Sequence, residues 1–137
     1  MKLRIRGDSL RFRLTQGEAS LLLAGSKVSE AVHFSGAKED VLTYSLESDR
    51  GSEQLTARFA AREICVSLPD TVVNQWANSD QVGIESTQPI GEGTHLHIII
   101  EKDFRCLQPR PEEDEHDNFP HPDSVAEKLQ ARAGPEN

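Results

Sequence analysis

The chain has 137 residues, 36% of them apolar, and a formal net charge of −8. That is the length of one domain, and the apolar share is below the roughly 45–50% of an average globular chain. The acidic balance disfavours nonspecific binding to nucleic acid or anionic lipid, and no apolar run approaches the roughly 20 residues of a bilayer span.

Met1–Leu10 is basic and alternating, without the apolar run of a secretory leader. With two cysteines only, Cys65 and Cys106, the expectation is a soluble cytoplasmic protein with reduced thiols. The charge is uneven. Residues 108–137 hold eight acidic and three basic residues, and so carry five of the eight net negative charges.

In chain order, Leu3 and Ile5 alternate with Lys2, Arg4 and Arg6. Gly7-Asp8 turns the chain, and Leu10, Phe12 and Leu14 alternate with Arg11 and Arg13. Period-two alternation around a tight turn predicts an amphipathic hairpin. Thr15-x-x-Glu18 fits a capping box, and the helix that follows runs to a stop at Gly25. Val28–Phe34 reads as an irregular strand, 35–40 as a loop, and Leu42–Glu47 as a strand.

The second half repeats the order. Leu55–Ala60 and Ile64–Leu68 are strands around Ala61-Arg62. Asp70 is the expected cap of a short helix to Ala77, with Trp76 in the core or as a lid. Val82 and Ile84 open a strand, Gly91-Glu92-Gly93 turns, and Thr94–Glu101 is the most apolar strand. Residues 3–47 and 55–101 both read strand, strand, helix, strand, strand, offset by about 53. An internal duplication would explain this, as would chance reuse of common pieces.

The expected architecture is therefore α+β: a single β-rich domain over 1–107 with about eight strands, two short helices and two ββαββ halves. An acidic, Pro-containing tail over 108–137 is expected to lack stable structure, because like charges repel and proline removes backbone donors. Leu3–Arg6 and Thr94–Glu101 are the expected open edges, available for pairing between chains.

Four surface features carry chemistry. Arg4, Arg6, Arg11 and Arg13, with Lys2, form a basic stripe suited to phosphate or carboxylate, or a solvated face paired with acidic strands. His95 and His97 share one side of a strand. With Cys106, His116 or His121 they could hold zinc or copper, or they are plain strand histidines, since no strong ligand spacing is present. Phe119 and Asp117 lie in Asp117-Asn118-Phe119-Pro120-His121-Pro122 and suggest a short docking segment, for a protein partner or for the body itself. The acidic run Glu112–Asp117 lacks the spacing of a calcium loop, and could instead lie over the basic stripe. No complete catalytic or cofactor motif is present, so neither an enzyme nor a cofactor is expected.

The opening Met1-Lys2-Leu3-Arg4-Ile5-Arg6-Gly7-Asp8-Ser9-Leu10-Arg11 resembles that of an uncharacterised bacterial family of small proteins. Ile100–Leu107 and Glu113-Asp114-Glu115-x-Asp117-Asn118-Phe119-Pro120 fit the same family. That resemblance, over residues 1 to about 122, implies a domain without an assigned activity. In element order, residues 55–101 resemble the swapped-hairpin domains of AbrB-like and MraZ-like transcription regulators. The matching pieces are Ile64–Pro69, the helix after it and Ser79–Ile84. This second resemblance implies DNA contact through Arg4, Arg6, Arg11 and Arg13. The leading expectation is a non-enzymatic binding or interaction module. A DNA-binding regulator and a metal-binding protein are the alternatives, and oligomeric state is left open.

Overall fold

The structure is a computed structural model and describes residues 1–105 and 116–122. Among these the elements run β1 (Lys2–Ile5), β2 (Ser9–Leu14), α1 (Gln16–Leu23), β3 (Val28–His33), β4 (Val41–Asp49), β5 (Thr56–Ala60), β6 (Glu63–Pro69), α2 (Asp70–Ala77), β7 (Gly83–Gly91) and β8 (Thr94–Lys102). A single 3-10 turn, Lys38–Asp40, precedes β4. The β-rich α+β class and the ββαββ order of each half are as the sequence predicts.

The strands form two four-stranded sheets, ordered β1-β2-β8-β7 and β3-β4-β6-β5. Each outer pair is an antiparallel hairpin joined locally, and the central pairs, β2 with β8 and β4 with β6, are parallel. Neither half builds a sheet alone: each lends one hairpin to each sheet. The central registers superimpose, because Ser9↔His97 and Glu63↔Thr43 are related by one shift of 54 residues (63 − 9 and 97 − 43). The two halves are thus interleaved about a pseudo-twofold axis.

The expected edge at Thr94–Glu101 is corrected: β8 is central, between β2 and β7. Its continuous apolar run, His97–Ile100, suits a strand with neighbours on both sides. The actual edges are β1, β7, β3 and β5.

Inward residues of both sheets share one core with the helices, centred on Phe12, Leu14, Leu22, Leu46, Leu68, Trp76, Ile98 and Ile100, all fully buried. The Trp76 indole N–H donates to Val82 O at 3.1 Å, so this side chain belongs to the core. The helices follow the C-terminal ends of β2 and β6 and close that end of the structure. The capping box forms as predicted: Glu18 N donates to Thr15 Oγ1, and Thr15 N to Glu18 Oε1. Asp70 is not the cap of α2. Pro69 holds that position at φ −55°, and Asp70 is the first helical residue, accepting from Thr71 N at 2.8 Å. Proline's fixed φ suits the helix start, and it has no N–H to leave unpaired.

Edges of opposite sheets meet at two seams. On one side, Gln88 of β7 grips the backbone of Ala57 in β5. On the other, the Met1 amino group donates to Glu18 and to Glu30 of β3.

Residues 116–122, inside the expected tail, belong to the folded body. Phe119 forms a parallel bridge with Phe104, donates its N–H to Asp103 O at 2.7 Å, and sets its ring 5.9 Å from that of Phe104. Asn118 is buried. Proline spacing and charge concealed one aromatic anchor and one helix cap, which together hold this short segment. Residues 108–115 and 123–137 of the expected tail lie outside the described residues.

Candidate functional site

The end opposite the helices is open. Here Ile5 and Leu10 of the first hairpin, Phe59 and Ile64 of β5–β6, and Ile90 and Leu96 of β7–β8 line an apolar groove of about 450 Å³. Ile5, Phe59 and Ile90 are 56%, 71% and 50% exposed, in contrast to the closed helical end. Two pairs of its lining residues are related by the pseudo-twofold, Ile5 with Phe59 and Leu10 with Ile64, 54 residues apart in each case (59 − 5 and 64 − 10), and the second half alone supplies Gln88, Ile90 and Leu96.

Two polar residues, Gln88 and Arg58, also line the groove, and both are engaged. The Gln88 amide accepts from Ala57 N at 2.8 Å and donates to Ala57 O at 3.0 Å. Arg58 donates to Glu47 at 2.7 Å and to Ser67 at 2.9 Å, and Ser67 donates to the same Glu47 oxygen. These bonds from Arg58, then Ser67, hold the Glu47 carboxyl below its usual range.

The sequence reading missed this groove. Ile5 and Phe59 carry the alternation of core residues, and nothing local shows that no helix covers their end. Gln88 and Ile90 share the inward parity of Ile84, which was the available signal.

The basic stripe lies on the outer face of the β1-β2-β8-β7 sheet. Pairing puts Lys2 opposite Arg13 and Arg4 opposite Arg11. Acids of β8 and just beyond it take up part of the charge. Arg13 bonds Glu101 at 2.7 Å, Arg11 lies 3.8 Å from the same carboxylate, and Lys2 lies 3.2 Å from Asp103. Arg4 and Arg6 have no ion pair among the described residues, and with Ser9 and Arg11 they line a small depression of about 90 Å³.

A third feature is Lys102, inward-facing and only 7% exposed. Its ammonium donates to Ser79 O at 2.6 Å and sits 5.9 Å from the Trp76 ring and 5.5 Å from that of Phe119. Burial pushes its pKa down, against the opposing field of Asp80. The parity of Ile98, Ile100 and Lys102 on β8 could have flagged this cation as inward.

His95 and His97 are exposed on β8, beside Pro89 and Thr87 respectively. The described residues hold no group of three or more His, Cys, Asp or Glu suited to a metal ion, and Cys106 lies outside them. Cys65 is a buried free thiol on the outer face of β6, with Ser45 beside it in register. Asp117 and Phe119 engage the chain's own body: Gln16 N donates to Asp117 O at 3.0 Å and Gly17 N to Asp117 Oδ2 at 3.2 Å.

No described helix is long and apolar enough to cross a membrane. No curated protein and no solved structure matches the chain. A family model described as "Family of unknown function (DUF7009)" matches residues 1–123, which include the seated residues 116–122, and the chain belongs to that family.

Proposed function

We propose that this domain is a non-enzymatic binding module, acting in the cytoplasm, whose ligand is a small uncharged apolar molecule held in the groove at the open end. The observation that carries this reading is the exposure of Ile5, Phe59 and Ile90 around one cavity of about 450 Å³. That volume falls in the range of small-molecule sites, about 300–1,000 Å³. Its ligand class follows from the lining. The Gln88 amide is spent on Ala57 and the Arg58 guanidinium on Glu47 and Ser67, so recognition rests on shape and apolar contact. A lining of this kind offers no nucleophile and no general acid or base, which supports binding over catalysis.

The test is titration with a neutral solvatochromic dye such as Nile red. Saturable binding with a blue shift is expected, weakened about tenfold by Phe59→Ser or Ile90→Ser, since each removes apolar area worth about 1–2 kcal/mol. Phe34→Ser, an equally exposed site outside the groove, should leave binding unchanged. Dye binding insensitive to both groove variants would overturn the reading. So would groove variants that convert a dimer to a monomer without affecting the dye.

A further inference from the structure

The pseudo-twofold axis gives the chain an internal control for its basic face. Arg4 corresponds to Arg58, Glu101 to Glu47, Arg11 to Cys65 and Arg13 to Ser67, each 54 residues apart (58 − 4, 101 − 47, 65 − 11 and 67 − 13). In the β3-β4-β6-β5 sheet, one arginine and one glutamate neutralise each other, with Ser67 bonded to both.

In the β1-β2-β8-β7 sheet, the equivalent glutamate, Glu101, is taken by Arg13 at 2.7 Å, with Arg11 at 3.8 Å. Arg4, the counterpart of the well-paired Arg58, is left opposite Arg11 with no acid among the described residues. Like charges directly opposite in an antiparallel pair destabilise it. Arg6 adds a third cation at the turn end, where its backbone N–H donates to Ser9 O at 3.1 Å and both residues line the same depression. The surplus charge is concentrated there, on a chain whose formal net charge is −8. General basicity does not account for it.

We infer that Arg4, Arg6 and Arg11, with Ser9, form a binding site for a phosphate group. Three guanidinium forks from one hairpin and its turn, with a hydroxyl donor, suit an anion with several exposed oxygens better than a single planar carboxylate, which one bidentate arginine would satisfy. The depression of about 90 Å³ among these four residues is small, and Arg4 and Arg6 are exposed, so a ligand there stays in contact with solvent. A free phosphoryl compound and the backbone of a single-stranded nucleic acid present the same chemistry, and the site is independent of the apolar groove.

Two probes test this at low ionic strength: pyrophosphate, read by its effect on thermal unfolding, and a short fluorescent single-stranded oligodeoxynucleotide, read by anisotropy. Pyrophosphate should raise the unfolding temperature of the wild type, since binding to the folded state alone stabilises it. The effect should disappear in Arg4→Gln/Arg11→Gln and persist in Lys38→Gln. Without ligand, the double variant should be at least as stable as the wild type, because it relieves like-charge opposition. If nucleic acid is the source, the oligonucleotide also binds, about tenfold more weakly in the double variant, with a log–log salt slope near −2 for about three phosphates contacted. A response to pyrophosphate alone assigns the site to a free phosphoryl compound. Absence of both responses in the wild type, or equal responses in the double variant, overturns the inference.

Discussion

Asp117 caps a helix whose second residue, Gly17, lies 100 residues earlier in the chain: its side-chain Oδ2 accepts from Gly17 N at 3.2 Å. Its carbonyl accepts from Gln16 N, while Glu18 N donates to Thr15 Oγ1 and Thr15 N to Glu18 Oε1. All four unpaired donors at the start of α1 are thereby satisfied, two locally and two by the returning segment.

Asp117→Ala should therefore cost about 1 kcal/mol, the usual value of a lost helix cap. Amide hydrogen exchange should quicken at Gln16, Gly17 and Phe119 together, because the bonds of Asp117 to Gln16 and Gly17 and of Phe119 to Asp103 seat one short segment. Acceleration at Gly17 with Phe119 still protected would show that Phe119 holds the segment unaided. Gly17→Ala gives a second handle: a Cβ there would lie 2.8 Å from Asp117 Oδ2, so the carboxylate must turn away.

Lys102 makes stability depend on alkaline pH. Its folded-state pKa lies below the ordinary 10.5. Below the folded value the ammonium is charged in both states, and the cost of its burial is present in full. Between that value and 10.5 the unfolded chain holds the proton and the folded chain does not, so stability rises with pH. Denaturant midpoints across this range should show the wild type gaining on Lys102→Met as pH rises. Parallel curves would mean that Lys102 keeps its ordinary pKa.

Gln88 protects an edge strand. Replacing it with leucine leaves Ala57 N and O without their partners, at an expected cost of about 1–2 kcal/mol. It also opens β5 to a second chain. Sedimentation velocity should show concentration-dependent association of Gln88→Leu and none for Gln88→Asn variants that retain one of the two bonds. A Gln88→Leu protein as stable and as monodisperse as the wild type would contradict this role.

The β5–β6 turn carries two non-glycine residues in the left-handed region, Ala61 at φ 49° and Arg62 at φ 62°. Two-residue hairpin loops of this kind favour Asn-Gly. The double change Ala61→Asn, Arg62→Gly should raise stability by about 1 kcal/mol, measured by urea unfolding. Because Phe59 and Ile64 flank the turn, Nile red binding in the same variant also reports whether the strained turn shapes the groove.

Most local structure that rests on neighbouring residues was legible in the sequence, although the cap of α2 falls on Pro69 and not on the expected Asp70. Alternation in Leu3–Ile5, Leu10–Leu14 and Ile64–Leu68 set the strands and their inward faces, Thr15 and Glu18 set the start of α1, and the matching order of the halves was legible. Hairpins and caps form between residues a few positions apart, so their signals are local. The parallel pairing of β2 with β8 and of β4 with β6 was decided only in the tertiary structure. No turn specifies it, and it arises because each half must bury a sheet face that it cannot cover alone. The same interleaving put Glu101 beside Arg13, left Arg4 against Arg11, turned Lys102 inward beneath Phe119 and left the end at Ile5, Phe59 and Ile90 without a helix over it. The acidic stretch shows the division most clearly. Its composition predicted a chain apart from the body, yet Asp117 and Phe119 each find a partner more than ten residues away, the cap of α1 and the ring of Phe104, and those contacts outweigh the local repulsion.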